Sequence, residues 1–259
     1  MSATRTWSED WQVYMSRVNG EPGAIRVDLG LGPVVPLADK THLLWVWVYF
    51  QSPREDGLSN SEESPQLYAI EDELVPEVER WCRAVLAGCI TTQGRREFYF
   101  YGETADRFED SVTRAMQGFP EYRFELNRQL DTDWTEYLNL LYPTPDQLDS
   151  LMNRNVLTVM KQGGDVHEFS REVTHWLYFP TEATRSDFAQ AAQRISYLVW
   201  QDPELAEREG YPFAVTVDKV QGVTQVEIDT TTRELRSLAD QFGGEYDGWE
   251  AQVTSEESV

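Results

Sequence analysis

Two stretches of the sequence share one pattern: FYFYGETADRFEDSV at residues 98–112 and HWLYFPTEATRSDFAQA at residues 175–191. Each begins with a bulky apolar segment typical of a strand, continues into a short turn that contains threonine, and ends with helical spacing. Phe108 and Phe188 stand where a helix would face a core. The pattern predicts the same strand–turn–helix unit in both halves of the chain, although the sequence similarity between the halves is weak.

The segments around the first stretch complete a recognisable order. HLLWVWVYFQ at residues 42–51 predicts a buried strand, and apolar residues recur at helical spacing from Pro65 to Val85. Further strands are predicted at 87–92, 96–103 and 122–127, with the second helix before the last of them. The two segments before residue 42 predict a hairpin around NGEPG that extends or edges the sheet.

The second half repeats this order after an additional helix. Thr224 and Glu227 fit a capping box, so the β-branched segment that follows them is predicted to be a helix rather than a strand. The predicted elements are a helix from Pro145 that stops at Gly163-Gly164, a strand at 172–179, a helix from Thr181 to Ile195, strands at 196–201 and 212–220, and a helix ending at Phe242.

Strand, helix, strand, strand, helix, strand is the order of the ferredoxin-like fold. We therefore predict an α+β protein with two tandem ferredoxin-like (βαββαβ) domains, whose antiparallel sheets carry helices on one face. The predicted boundaries are 1–130 for the first domain, 131–144 for a linker with a short helix, and 145–259 for the second domain.

The charge of the chain restricts its partners. The formal net charge is −23, and acids outnumber bases in both halves. Nucleic acid and anionic membranes draw their affinity from lysine and arginine, so we expect neither as a direct partner. An acidic field attracts a basic protein surface instead. Solubility alone is the alternative explanation of this charge.

Cysteine usage and hydropathy indicate a compartment. Cys82 and Cys89 are the only cysteines, and their spacing fits neither a zinc site nor a redox motif. The longest apolar run, LLWVWVYF at 43–50, is much shorter than a membrane span of roughly twenty residues. We expect a cytoplasmic protein with free thiols.

The sequence offers little catalytic chemistry. It contains no phosphate-binding loop, nucleophile elbow, zinc-protease motif or dinucleotide fingerprint. His42, His167 and His175 are the only histidines. A solvated loop explains His167, and a packed position in a strand explains His175. We predict no catalytic residues, no metal site and no cofactor.

The stretch FGGEYDGWEAQV at 242–253 is unusually specific for the end of a chain. Gly243 or Gly244 is predicted to end the preceding helix with positive φ. Gly248 is predicted to permit a bulge or a close approach of the backbone at the start of a final strand. Tyr246 and Trp249 are predicted to pack against the sheet.

With this stretch the second half resembles the family of the regulator of ribonuclease E activity, protein B. The resemblance rests on LTVMKQGGD, VTHWLYFPTEATRSDFAQAA, FAVTVDKV, TRELRSLADQFGG and, above all, EYDGWE. Residues 8–128 resemble a separate bacterial domain family of unknown function, through WQVY, GEPGAIRVDLGL, IEDEL and GRREFYFYGE.

The resemblance of the second half implies a non-enzymatic acidic protein that binds and inhibits an RNA-processing endoribonuclease of the ribonuclease E type. Its partner surface would be basic. The candidate contact residues are Glu245, Asp247 and Glu250 in the last strand, Tyr246 and Trp249 as structural or anchor residues, and Glu204, Glu207 and Glu209 in an acidic loop.

Two alternatives remain open from the sequence. The first is a ligand-binding protein or small enzyme with a site in the cleft between the two domains, built on His175 or His42 with carboxylates. The second is a structural module that associates with itself through the edges of its sheets.

Overall fold

The computed structural model describes residues 7–206 and 208–255 of the 259-residue chain. The chain divides between Pro143 and Thr144 into two units. Each unit contains one antiparallel sheet and its own helices, so the protein is an α+β protein with two antiparallel sheets. None of the helices in the described residues is long and apolar enough to cross a membrane.

The first unit has a six-stranded sheet in the order β1-β2-β4-β5-β3-β6. From β3 onward its elements follow the predicted order of strand, helix, strand, strand, helix and strand, and the predicted hairpin β1–β2 extends the sheet beside β4. The elements are β1 Trp11–Val18, β2 Glu21–Asp28, β3 His42–Tyr49, α1 Ser64–Cys82, β4 Val85–Thr92, β5 Arg95–Gly102, α2 Phe108–Met116 and β6 Phe124–Leu130.

Helices α1 and α2 cover one face of this sheet because their apolar side chains recur every three or four residues. The Thr104 hydroxyl accepts a hydrogen bond from the Asp106 N–H in the turn before helix α2, which begins at Phe108. The buried side chains under the helices include Leu67, Ile70, Leu74, Val78, Phe98, Phe100, Phe108 and Val112.

The opposite face of the first sheet is also covered, which the expectation of helices on one face did not include. Residues from the predicted linker form this cover around a π-helical turn, Tyr137–Leu141. Trp134 stacks on Tyr101 with ring centroids 3.8 Å apart, and the Tyr137 hydroxyl donates to the Asp28 carbonyl at 2.8 Å. These aromatic side chains are fully buried, so the segment packs with the first unit.

The second unit begins with helix α3 and has a four-stranded sheet in the order β10-β7-β9-β8. Thr144 and Thr224 both cap helices through capping boxes, so the prediction that the segment after Thr224 is a helix is confirmed. The elements are α3 Pro145–Gln162, β7 Arg171–Phe179, α4 Glu182–Arg194, β8 Leu198–Leu205, β9 Phe213–Gln221, α5 Gln225–Asp240 and β10 Glu245–Ala251.

Alternate residues of these strands build the core of the second unit. Leu177 and Phe179 of β7 pack with Val215 and Val217 of β9 and with Phe188 of α4. Helix α3 joins the same face through Leu157 and Met160, which pack against Val173, Val223 and Ile228. The helices therefore lie on one face of the second sheet.

Candidate partner-binding surface

The last strand, β10, is placed by the two glycines that precede it. Gly243 has φ +67°, which confirms the predicted glycine end of helix α5. A side chain at Gly244 would meet the ring of Phe179, since a Cβ there would lie 2.2 Å from that ring. The chain can therefore turn tightly from the helix into the edge of the sheet beside β7.

A bulge in β10 decides which candidate residues face the core. The pairing with β7 shifts between Tyr246 and Gly248, so the predicted bulge is confirmed and Asp247 is the additional residue. Side chains alternate along a strand, and residues three apart would normally point to opposite faces. Because of the bulge, Tyr246 and Trp249 both face the helices, opposite Leu177 and His175.

Tyr246 belongs to a buried polar cluster. Its hydroxyl lies 2.9 Å from Nδ1 of His175 and 3.4 Å from the hydroxyl of Thr232. Burial, assisted by the positive charge of Lys219, lowers the pKa of His175 to about 3. Burial likewise raises the pKa of Tyr246. Both groups are therefore neutral near pH 7, and the fully buried His175 has no access to solvent as a general base.

Trp249 ties β10 to helix α3. Its indole N–H donates to Oδ1 of Asn153 at 2.8 Å, and the side-chain amide of Asn153 donates to Oδ1 of Asp229 in α5 at 2.8 Å. Asn153 is buried, so these partners satisfy polar atoms that would otherwise lack water. Tyr246 and Trp249 thus support the sheet from its inner face.

The acids of β10 lie on the outer face or in the bulge. Glu250 is exposed beside Thr174 of β7. Glu245 and Asp247 both accept from Arg208, at 2.8 Å and 2.6 Å, and this pairing raises the pKa of the Arg208 guanidinium. Two of the three candidate acids of β10 are therefore partly neutralised by one arginine.

The predicted acidic loop is only partly a loop. Strand β8 continues to Leu205, so Glu204 lies within a strand and its assignment to a loop is wrong. The side chain of Glu204 and the whole of Glu207 lie outside the described residues. Glu209 is exposed in the turn that precedes β9.

The outer face of the second sheet carries aromatic residues that the sequence analysis did not select. Trp176 of β7, Thr216 of β9 and Trp200 of β8 stand side by side across three strands. Trp200 is 61% exposed and Trp176 36%. Gly248 lies opposite Trp176 in the pairing and has no side chain to cover it.

Asp218 of β9, two residues after Thr216 on the same face, fixes the position of this aromatic row. Its carboxylate accepts from the Trp200 indole at 2.6 Å and from the Thr174 hydroxyl at 2.7 Å.

Leu198 and Val220 flank Asp218 and are 59% and 69% exposed. We call the outer face formed by Trp176, Trp200, Leu198, Val220 and Glu250 the open face of the second sheet. Alternation along β8 and β9 was the signal that could have identified it.

The remaining histidines do not assemble a site. His42 lies in β3 with Nδ1 3.3 Å from the Thr41 hydroxyl, and Nε2 of His167 lies 3.8 Å from the Asp165 carboxylate. Asp165 is itself paired with Arg171. Within residues 7–206 and 208–255, no three acidic, histidine or cysteine side chains are grouped to hold a metal ion.

Comparison with known proteins agrees with the division into two units. Residues 150–251 match the family described as Regulator of ribonuclease activity B. A solved structure titled "Crystal Structure of an Unknown Protein from Galdieria sulphuraria" is 10% identical, with a TM-score of 0.23, over 83% of this chain and 99% of that one. No curated protein matches. Residues 9–142, slightly more than half of the chain, match the family of unknown function DUF695, and the chain belongs to that family.

Proposed function

We propose that this protein is a non-enzymatic regulator that binds an RNA-processing endoribonuclease of the ribonuclease E type and inhibits it. The open face of the second sheet would be the contact surface. The proposal is supported by the match of residues 150–251 to a regulator of ribonuclease activity and by the chemistry of that face. The strand order β10-β7-β9-β8 also supports assigning the second unit to the ferredoxin-like fold.

The observation that carries the proposal is an exposed aromatic row bordered by acids. Trp176 and Trp200 present large apolar rings to solvent, and Glu172 and Glu250 are exposed on the same face. In the described strands, no outward position of β7–β10 holds lysine or arginine. Tryptophan is enriched in the energetically dominant part of interfaces, and its ring binds arginine through cation–π contacts.

This chemistry fits a basic protein surface better than it fits RNA. Aromatic platforms that stack bases rely on neighbouring lysine and arginine to hold the phosphates. Arg208 lies over the Tyr178 ring at the edge of this face, but its charge is paired with Glu245 and Asp247. The net charge of −23 repels phosphate further and steers a basic protein toward the chain. We infer that the partner contributes arginine or lysine side chains that otherwise contact RNA.

The mechanism follows from that competition. A basic surface that binds RNA exchanges its phosphate contacts for the carboxylates and rings of the open face when the regulator docks. RNA is then excluded from the same surface. Inhibition of this kind raises the apparent KM for RNA and leaves the kcat at saturating RNA unchanged.

The test is a steady-state cleavage assay of the endoribonuclease with increasing amounts of the full chain at low and high salt. We expect a rising KM, unchanged kcat and weaker inhibition at high salt. The E172Q/E250Q variant should inhibit less than the control D72N/E73Q, which removes the same charge from exposed positions of α1. Absence of inhibition, or equal inhibition by both variants, would contradict the proposal.

A further inference from the structure

A cavity of about 260 Å³ lies in the first unit, between helix α1, the hairpin β1–β2 and the loop after β3. It opens where the hairpin extends the sheet beyond the cover of α1, so that Val13 of β1 remains half exposed. Its volume is slightly below the ~300–1,000 Å³ of pockets for drug-sized ligands. The cavity has room for a small organic molecule.

Three arginines line this cavity in a chain that has twice as many acids as bases. They are Arg26 of β2, Arg96 of β5 and Arg54 of the loop after β3. The strand pairing brings the first two together, since Arg26 lies beside Cys89 of β4 and Arg96 beside Thr91 of the same strand. These positions share one face of the sheet, so both guanidinium groups reach the cavity.

The carboxylates at the cavity do not balance these charges. Glu71 of α1 pairs with Arg26 and lies 3.6 Å from Nη1 of Arg96, so one acid serves two arginines. Arg54 has its own partner, Asp56, at 2.7 Å. Burial raises the pKa of the Cys89 thiol to about 12, so this sulfur is neutral and adds no negative charge. Among the described residues, Arg26 and Arg96 share one carboxylate, so the positive charge of this pair exceeds the negative charge beside it by one.

The guanidinium groups also have unused hydrogen-bonding capacity. The side chain of Arg96 is 10% exposed, and its ion pair with Glu71 is longer than a hydrogen bond. Within the described residues, the buried Nε of Arg26 has no hydrogen-bond partner. Unpaired buried donors are costly, and charged ones more so. The planar fork of arginine matches the two oxygens of a carboxylate or phosphate group.

We propose that the first unit binds a small organic anion in this cavity, with its carboxylate or phosphate group at Arg26 and Arg96. The apolar part of the ligand lies against Leu58 and Tyr68, and the ring of Tyr68 stands 5.2 Å from the Arg96 guanidinium. Arg54 and Ser59 bring the loop after β3 to the mouth of the cavity. This inference is independent of the function proposed for the second unit.

The test is calorimetric titration of the full chain with benzoate, phenyl phosphate and the neutral benzyl alcohol at low ionic strength. We expect saturable binding of at least one anion and none of the alcohol. Tighter binding of phenyl phosphate would assign a phosphate ester as ligand class, and tighter binding of benzoate would assign a carboxylic acid. Absence of anion binding, or equal binding of the alcohol, would overturn the proposal.

Variants separate this site from general effects of charge. R96Q should weaken anion binding by roughly tenfold, as expected for the loss of a charge-assisted contact. R54Q removes a charge at the mouth that Asp56 already pairs, so it should weaken binding less. R123Q, at an exposed arginine of the same unit paired with Glu125, should bind as the unaltered protein does. E71Q should bind more tightly, which damage to the fold would not produce. Unchanged affinity in R96Q and E71Q would overturn the assignment.

Discussion

The two sheets of this protein have the same order of strands and helices from β3 and from β7 onward, and they differ in what covers their second face. In the first sheet, Trp134 and Tyr137 bury that face under a π-helical turn. In the second sheet, the equivalent face exposes Trp176 and Trp200. A tryptophan that is buried against a stacking partner contributes to stability, whereas a row of exposed tryptophans is available for binding.

Replacing a tryptophan on each face would test this difference most strongly. W134A removes the ring that stacks on Tyr101, and it should lower the free energy of unfolding of the first unit by about 3–5 kcal/mol. W200A loses an exposed ring and one hydrogen bond, so we expect a loss of about 1 kcal/mol or less. Urea unfolding followed by circular dichroism measures both. Equal losses would show that the two faces do not differ as described.

The second prediction concerns the support beneath the open face. N153A removes the acceptor of the Trp249 indole and the donor to Asp229, so it should lower the stability of the second unit by about 1–3 kcal/mol. Hydrogen exchange of the β10 amides should accelerate more than that of β8. S237A, on α5, is a control that leaves this network intact. Unchanged exchange in β10 would show that Asn153 does not anchor the strand.

The third prediction concerns the pH dependence of the second core. The pKa of His175 falls from 6.5 in the unfolded chain to about 3 in the folded one. Between these pH values the unfolded state binds more protons than the folded state. The free energy of unfolding therefore decreases as the pH falls, by up to about 1.4 kcal/mol per pH unit. H175Q should have a shallower slope between pH 6 and 5 in urea unfolding. An unchanged slope would contradict the burial of a neutral His175.

The smallest expected change in stability concerns Arg208, which neutralises two acids beside the open face. R208Q breaks partly exposed ion pairs with Glu245 and Asp247, so the free energy of unfolding should fall by ~1 kcal/mol or less. The freed carboxylates should bind a basic partner more tightly, which equilibrium binding to the endoribonuclease would measure. R233Q, on the helical side, is the matched control. Weaker binding by R208Q alone would exclude an attractive role for these acids.

Much of the fold could be predicted because local signals agreed with the tertiary structure. Helical spacing in α1, the capping box at Thr224 and the glycine at residue 243 all act over a few residues. The bulge beside Gly248 was predictable for the same reason. The sequence did not show which residue is the additional one. It therefore could not show that Tyr246 and Trp249 both lie on the inner face.

The features that were missed depend on distant partners. Nothing near Trp134 in the sequence indicates that it stacks on Tyr101, so its segment was predicted to be a linker. Exposure of Trp200 depends on which face of the second sheet receives the helices. The arginine-lined cavity likewise depends on pairing, because β4 separates Arg26 from Arg96 in the sheet. Charge composition alone indicated an acidic protein and gave no sign of a local positive site.

The central claim, that the open face is the partner-binding surface, is tested most directly by measuring the affinity of the full chain for the endoribonuclease. W176A/W200A removes the exposed aromatic row. M152A/V159A removes two side chains of helix α3 that are 65% and 67% exposed. The account predicts a loss of affinity of roughly tenfold or more for the first variant, the size expected of interface hot spots, and none for the second. Unchanged affinity for W176A/W200A, or an equal loss in both variants, would contradict it.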